Sequence, residues 1–176
     1  RVMISREKRM LSLTREYFRL EDLIEIKERL IGTGFIGGKS TGMLLSRNIL
    51  RKDPEFDWSK HLEMHDSFYI GSDVFYSFIV QNGLWRTLMS HKTRENYFES
   101  AVELKEKILK GKFPEEVLEP FHLMLEYYGQ SPIIVRSSSL LEDNYLNAFS
   151  GKYESVFCAN QGPREKRLED FISAAL

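Results

Sequence analysis

A single cysteine, Cys158, stands among 176 residues, so no disulfide can form within the chain and a reducing compartment fits. It lies in the apolar run Val156-Phe157-Cys158-Ala159 and reads as a small core residue. Excess charge of one sign is also missing: 25 Lys and Arg against 26 Asp and Glu give a net charge of −1. That balance excludes the broad basic field on which sequence-independent nucleic-acid binding depends. No apolar stretch approaches the ~20 residues of a membrane span, and no charged-then-apolar leader opens the chain. Neither a nucleic-acid nor a membrane partner is expected, and the expected location is cytoplasmic. Internal repeats and Gly/Ser- or Pro-rich linkers are absent. What remains is a 42% hydrophobic chain of about one domain's length, able to bury a substantial core. It opens at Arg1 without an initiator methionine and closes inside a helix-like segment, 163–176. We expect it to be a piece of a longer protein.

Two segments carry chemistry. In Ile133-Ile134-Val135-Arg136-Ser137-Ser138-Ser139, a short β-branched strand ends in a cation and three hydroxyls. A planar fork of donors that cannot lose its charge, flanked by hydroxyl donors, suits a phosphate. The alternative is a strand-end arginine paired with Glu142 or Asp143. The second segment, Gly37-Gly38-Lys39-Ser40-Thr41-Gly42, leads into the apolar-periodic run Met43, Leu44, Leu45, Ile49, Leu50. Glycines, a lysine and a helix start make a phosphate cradle of free amides beneath an ammonium. A Walker A loop is the competitor, but its first glycine falls on Thr33, with Gly32 and Gly34 each out of register. The preceding Leu23–Leu30 segment also reads as charged helix, where a P-loop should follow a buried strand.

Periodicity predicts helices over 4–18, 20–31 and about 40–51, the last stopped by Asp53-Pro54-Glu55. A short strand at 67–70 precedes a helix N-capped by Ser72 and closed by Asn82-Gly83 in left-handed conformation. Residues 94–110 form an amphipathic helix ended by Gly111. After Pro114 a helix follows that Pro120 either kinks or begins. Strand 132–136, loop 137–150, strand 153–159 and a final helix complete an α+β (α/β layered) expectation, helix-rich with a small sheet. His61-x-x-x-His65 with Asp66 has ligand-like spacing but no accompanying cluster, so no metal ligand is assigned. The aromatics of 68–78 read as core. The four lysines from Lys105 to Lys112 read as a wet helix face beside Glu103 and Glu106.

Taken together the motifs resemble a family. Gly-Gly-Lys opening a helix is followed much later by Val135-Arg136-Ser137-Ser138-Ser139-Leu140-Leu141-Glu142-Asp143. Then comes Phe149-Ser150-Gly151-Lys152-Tyr153-Glu154-Ser155-Val156-Phe157. This is similar to the N-terminal nucleotide-binding domain of the pyruvate phosphate dikinase and phosphoenolpyruvate synthase family. Phe68–Leu84 and Phe113-Pro114-Glu115-Glu116-Val117 echo it more weakly. Two departures stand out: Asn144-Tyr145-Leu146-Asn147-Ala148 replaces the family's Leu-Pro-Asp-Ala-Ser, and His65-Asp66-Ser67 replaces its Pro-Pro-Gly.

The resemblance implies a helical segment, 1–31, leading into the first part, 32–176, of a dikinase-type ATP-binding domain, the N-terminal lobe of an ATP-grasp-like fold. It implies an ATP-dependent phosphotransferase with paired acceptors, in which ATP gives its β-phosphoryl group to a histidine on a separate swivelling domain. Pyruvate and phosphoenolpyruvate are handled on another domain. Lys39 and Arg136 would be the catalytic cations on the triphosphate. Gly37 and Gly38 would admit the backbone amides, and Ser137, Ser138, Gly151 and Ser155 would line the site. Magnesium would be held by carboxylates outside these residues, leaving this fragment inactive alone. The altered 144–148 loop keeps open a non-catalytic nucleotide-sensing or scaffolding domain of the same fold.

Overall fold

Two compact units divide the chain, Arg1–Asp73 with Ser137–Glu154 and Val74–Arg136 with Ser155–Leu176. The computed structural model describes residues 3–63, 66–90, 97–138, 143–144, 147–148 and 154–176. The fold is α+β, helix-rich with small sheets. Among the described residues, no helix is long and apolar enough to cross a membrane.

In the first unit, α1 (Lys8–Tyr17) starts where the Glu7 carboxylate accepts the amides of Arg9 and Met10 at 2.9 and 2.6 Å. These bonds hold the exposed Glu7 below the usual carboxylate range. The helix starts a turn later than the expected residue 4, because Glu7 is the cap. Helix α2 (Leu20–Glu28) stops short of the expected residue 31. Leu30–Ile31 instead forms strand β1, parallel to β2 (Tyr69–Ile70) in the register Leu30↔Tyr69 and Ile31↔Ile70. The glycine segment thus does follow a strand, and the P-loop comparison fails on glycine spacing alone. Helix α3 (Gly38–Arg51) buries Leu44 and Leu45 and packs against α1. Ile4, Ile26, Ile36, Leu44 and Tyr69 form the core, with Met3, Phe18, Leu23 and Leu30 around them. A 3-10 turn spans Trp58–Lys60.

The second unit takes the body of α4 (Ser72–Gln81), then α5 (Trp85–Ser90), α6 (Tyr97–Leu109) and α7 (Glu115–Tyr128). Gly83 adopts φ +66 as expected, but Asn82 does not share the left-handed region. Its amide group donates instead to the carbonyls of Phe78 and Lys112, at 2.8 and 2.9 Å, and accepts from Lys112 N at 2.9 Å. Helix α7 begins after Pro114 and carries Pro120 inside, so that proline starts no helix. Phe78, Ile79, Leu84 and Leu104 are buried together. An aromatic file runs Phe78–Phe113–Phe121–Phe171 at centroid spacings of 4.9, 5.3 and 5.0 Å. Phe75 and Tyr76, expected in the core, are 47% and 52% exposed.

Strand β3 (Ile133–Arg136) pairs antiparallel with β6 (Ser155–Cys158), and α8 (Arg164–Ala175) packs on both. Between them in sequence, β4 (Asp143–Asn144) and β5 (Asn147–Ala148) form a small antiparallel pair of the first unit, where an unstructured loop was expected. Cys158 is buried, as its apolar run predicts. Asn160, at φ +52 and fully buried, donates to the carbonyls of Gly129 and Ser131, both at 3.0 Å.

Candidate functional site

The lysine segment is mounted from several sides. After β1 the chain turns at Gly32 (φ +89) and reaches Gly37 (φ +82), the residue just before α3. Gly37 has two reasons to be glycine. Its φ lies where a side chain is strained, and a β-carbon there would run into the hydroxyl and carbonyl of Ser138. Thr41, buried, closes the first helical turn: its amide and its hydroxyl donate to the Gly37 carbonyl at 3.1 and 2.8 Å. The hydroxyl also reaches the Ile4 carbonyl at 3.3 Å.

Lys39 N donates to Ser138 Oγ at 3.1 Å. The expectation of wholly free amides at this helix start is thereby corrected: Ser138 takes one of them. Since its oxygen is accepting, the Ser138 proton remains available to donate to another acceptor. The first turn of α3 has no acidic residue and Gly37 offers no side-chain cap, so the positive end of the helix is not neutralised from within. Gly37, Gly38, Lys39 and Ser138 are thus brought together, with Lys39 half-buried.

Arg136 and Ser155 form a second group. They are direct cross-strand partners in the β3–β6 ladder, both exposed. Alternation puts them on the face that also shows Ile134 and Phe157, 46% and 82% exposed. Ser137, next along the chain from Arg136, has a buried hydroxyl with no hydrogen-bond partner among the described residues. Such a group is costly unless something satisfies it. Ser138 follows directly, so one short stretch of chain carries Arg136, the orphan hydroxyl and the partner of the Lys39 amide. Gly151 and Glu142 lie outside the described residues, as does the Asp143 side chain, so the ion-pair alternative for Arg136 lies there too.

Ser72 and Asp73 are residues that sequence reasoning missed in this role. Ser72 is the first residue of α4, not its cap, and its Oγ accepts from Phe35 N at 3.0 Å. The Asp73 carboxylate accepts from the backbone of Thr33 and Gly34. Burial works to raise its pKa, but these bonds, with that from the Thr33 hydroxyl, outweigh it and hold the group below the ordinary aspartate value. The visible signal was a Ser-Asp pair at a strand-to-helix junction.

Elsewhere, a cavity in the first unit is lined by Arg29, Arg47 and Arg51 with Asp22, Glu25 and Asp66. Arg29 pairs with Asp66 at 2.9 Å, and the lining is balanced in sign. His61 rests against Phe56 at 5.2 Å, and His65 is outside the described residues. Among the described residues no three His, Cys, Asp or Glu groups gather as metal ligands.

The model of one protein family, described as "Pyruvate phosphate dikinase, AMP/ATP-binding domain", matches residues 33–174. No curated protein and no solved structure matches the chain.

Proposed function

Because this chain belongs to the family of the pyruvate phosphate dikinase AMP/ATP-binding domain, we propose that it is the ATP-binding portion of a longer dikinase-type phosphotransferase. In this reading, residues 32–176 are the first part of an ATP-grasp-like domain, entered through residues 1–31. ATP passes its β-phosphoryl group to a histidine on a swivelling domain and its γ-phosphoryl group to a second acceptor, leaving AMP, and pyruvate or phosphoenolpyruvate is the partner at a further domain.

The observation that best supports the reading is the seating of the Gly37-Gly38-Lys39 turn on Ser138, with Gly37 barred from carrying a side chain. Ser138 takes the space a Gly37 side chain would need, and so fixes the turn at the positive end of α3, where backbone amides and the helix dipole favour a phosphate. Lys39 and Arg136 bind and neutralise the triphosphate. Gly37 and Gly38 admit its oxygens, and the hydroxyls of Ser137, Ser138 and Ser155 donate to them, with Gly151 completing the lining. The orphan Ser137 hydroxyl gains an acceptor in this way. Phosphoryl transfer depends chiefly on such positioning and charge neutralisation. Magnesium, when bound, draws charge from the phosphates. The described residues offer it no carboxylate cluster, and the resemblance assigns its ligands to another part of the enzyme.

The longer protein, supplied with ATP, magnesium and pyruvate, should form AMP, with acid-labile phosphate on a histidine outside this segment. ATP binding without AMP formation would favour the nucleotide-sensing alternative, and the departure from the family at 144–148 is the feature that fits it.

A further inference from the structure

The loop between β1 and α3 has no secondary structure, yet four successive backbone amides in it are each given an acceptor elsewhere. Thr33 N donates to Asp73 Oδ2 at 2.9 Å and Gly34 N to Asp73 Oδ1 at 2.6 Å. Phe35 N donates to Ser72 Oγ, and Phe35 O accepts from Ser72 N, both at 3.0 Å. Ile36 N donates to Met3 O at 3.0 Å. The Thr33 hydroxyl adds a third bond to this carboxylate, to Oδ2 at 3.2 Å. One carboxylate therefore spans two consecutive amides, each of its oxygens taking one.

The space for that carboxylate is made by missing side chains. A β-carbon on Gly34 would meet Asp73 N and Ser72 Oγ at 2.6 Å and Asp73 Oδ1 at 2.7 Å. One on Gly71 would meet Asp73 Oδ1 at 2.5 Å and Gly34 N at 2.9 Å. Gly71 N meanwhile donates to Ile31 O at 2.9 Å, extending the β1–β2 pairing up to the point where the loop begins. Beyond the clamped stretch, the chain passes Ile36 and arrives at Gly37, Gly38 and Lys39, where Ser138 holds the other end.

Charge makes the arrangement informative. A carboxylate near bound triphosphate repels it unless its charge is taken up by donors, and here three donors take it up. The same bonds leave little capacity for the oxygens to serve as a general base or metal ligand.

We propose that Asp73 is a positioning residue of the ATP site, fixing the Thr33–Gly34 backbone on the first turn of α4 and so setting where Gly37, Gly38 and Lys39 meet the triphosphate. The proposal rests on the ATP-binding reading above. Asp73 itself does not touch the nucleotide; it acts through the lysine turn.

The test is a double-mutant cycle read by ATP dissociation constants. Asp73→Asn turns an acceptor into a donor facing amide donors, and should weaken ATP binding about tenfold, the scale of hydrogen bonds to a charged group. In a Lys39→Gln background, the same substitution should add less than about twofold, because its effect passes through Lys39. Ser72→Ala, a milder release of the same loop, should weaken binding in the same direction and carries the test if Asp73→Asn fails to fold. Amide hydrogen exchange at Thr33 and Gly34 should speed up in Asp73→Asn. Equal ATP affinity for Asp73→Asn and wild type overturns the proposal and leaves the ATP reading standing, as does an equal loss in both backgrounds. If the wild type does not bind ATP, both fall.

Discussion

Lys39 and Arg136 sit on supports of opposite character. The lysine turn is seated on polar contacts: Asp73 and Ser72 beneath the preceding loop, Ser138 against the Lys39 amide, and the Thr41 hydroxyl closing the first turn. The arginine strand is backed by apolar packing: beyond its ladder with β6, α8 lies against both strands and supplies Phe171 to the file through Phe121, Phe113 and Phe78. Hydrogen bonds are directional and individually modest, whereas buried aromatic area is non-directional and large. The first support therefore specifies geometry and the second supplies stability. Damage to the first should show in ligand binding, and damage to the second in unfolding.

The largest expected effect is Phe121→Ala, which removes a fully buried ring from the middle of the file and should cost about 3–5 kcal/mol of stability. Chemical denaturation measures it, and a loss under about 1 kcal/mol would show that the aromatic file is not what stabilises this unit. Arg136→Ala comes next. Its side chain is exposed, so stability should hardly change, while the longer enzyme should lose roughly 2–4 kcal/mol of transition-state stabilisation. Arg136→Lys should also be poor, since an ammonium cannot replace a two-pronged contact. A folded, fully active Arg136→Ala enzyme would remove Arg136 from the site.

Gly37→Ala sharpens the other side. Strain at φ +82 and collision with Ser138 should cost about 1–3 kcal/mol in stability and also disturb the Lys39 amide, visible as a shifted resonance. Gly83, at φ +66 with open space around it, is the control in which only the strain operates. The smallest effect is acid sensitivity. The Asp73 pKa is lowered in the folded protein, so fewer protons are bound there than in the unfolded chain. Its stabilising contribution is complete above the unfolded value of about 3.9 and fades as pH falls through the lower folded value. Asp73→Asn should flatten that acid limb in pH-dependent melting, and an unchanged limb would show that the clamp does not favour the ionised form.

The sequence displayed these two supports unequally. Helices α3, α4, α6 and α8 lie close to where apolar periodicity puts them, since each turns one stripe inward. Strand β1 was hidden because Leu30 and Ile31 continue the apolar spacing of α2, and only pairing with Tyr69 and Ile70 tells them apart. The candidate site residues were legible as chemistry, a cation beside glycines and a cation beside hydroxyls. Their seating was not: Ser138 is 99 positions from the amide it accepts, and Asp73 is 40 from Thr33. Contacts of that range leave no periodic trace. Pro120 is the reverse case: a local rule offered a kink or a start, and the helix runs from Glu115 to Tyr128 with Pro120 inside it.

ATP titration followed by NMR, observing the Gly37, Gly38 and Lys39 amides together with the Arg136 side-chain Nε–H, shows whether Lys39 and Arg136 serve one nucleotide. Both sets of resonances should shift with the same midpoint, and the midpoint should move to higher ATP concentration with added salt. Shifts confined to one set, or two different midpoints, would contradict a single nucleotide site built from Lys39 and Arg136.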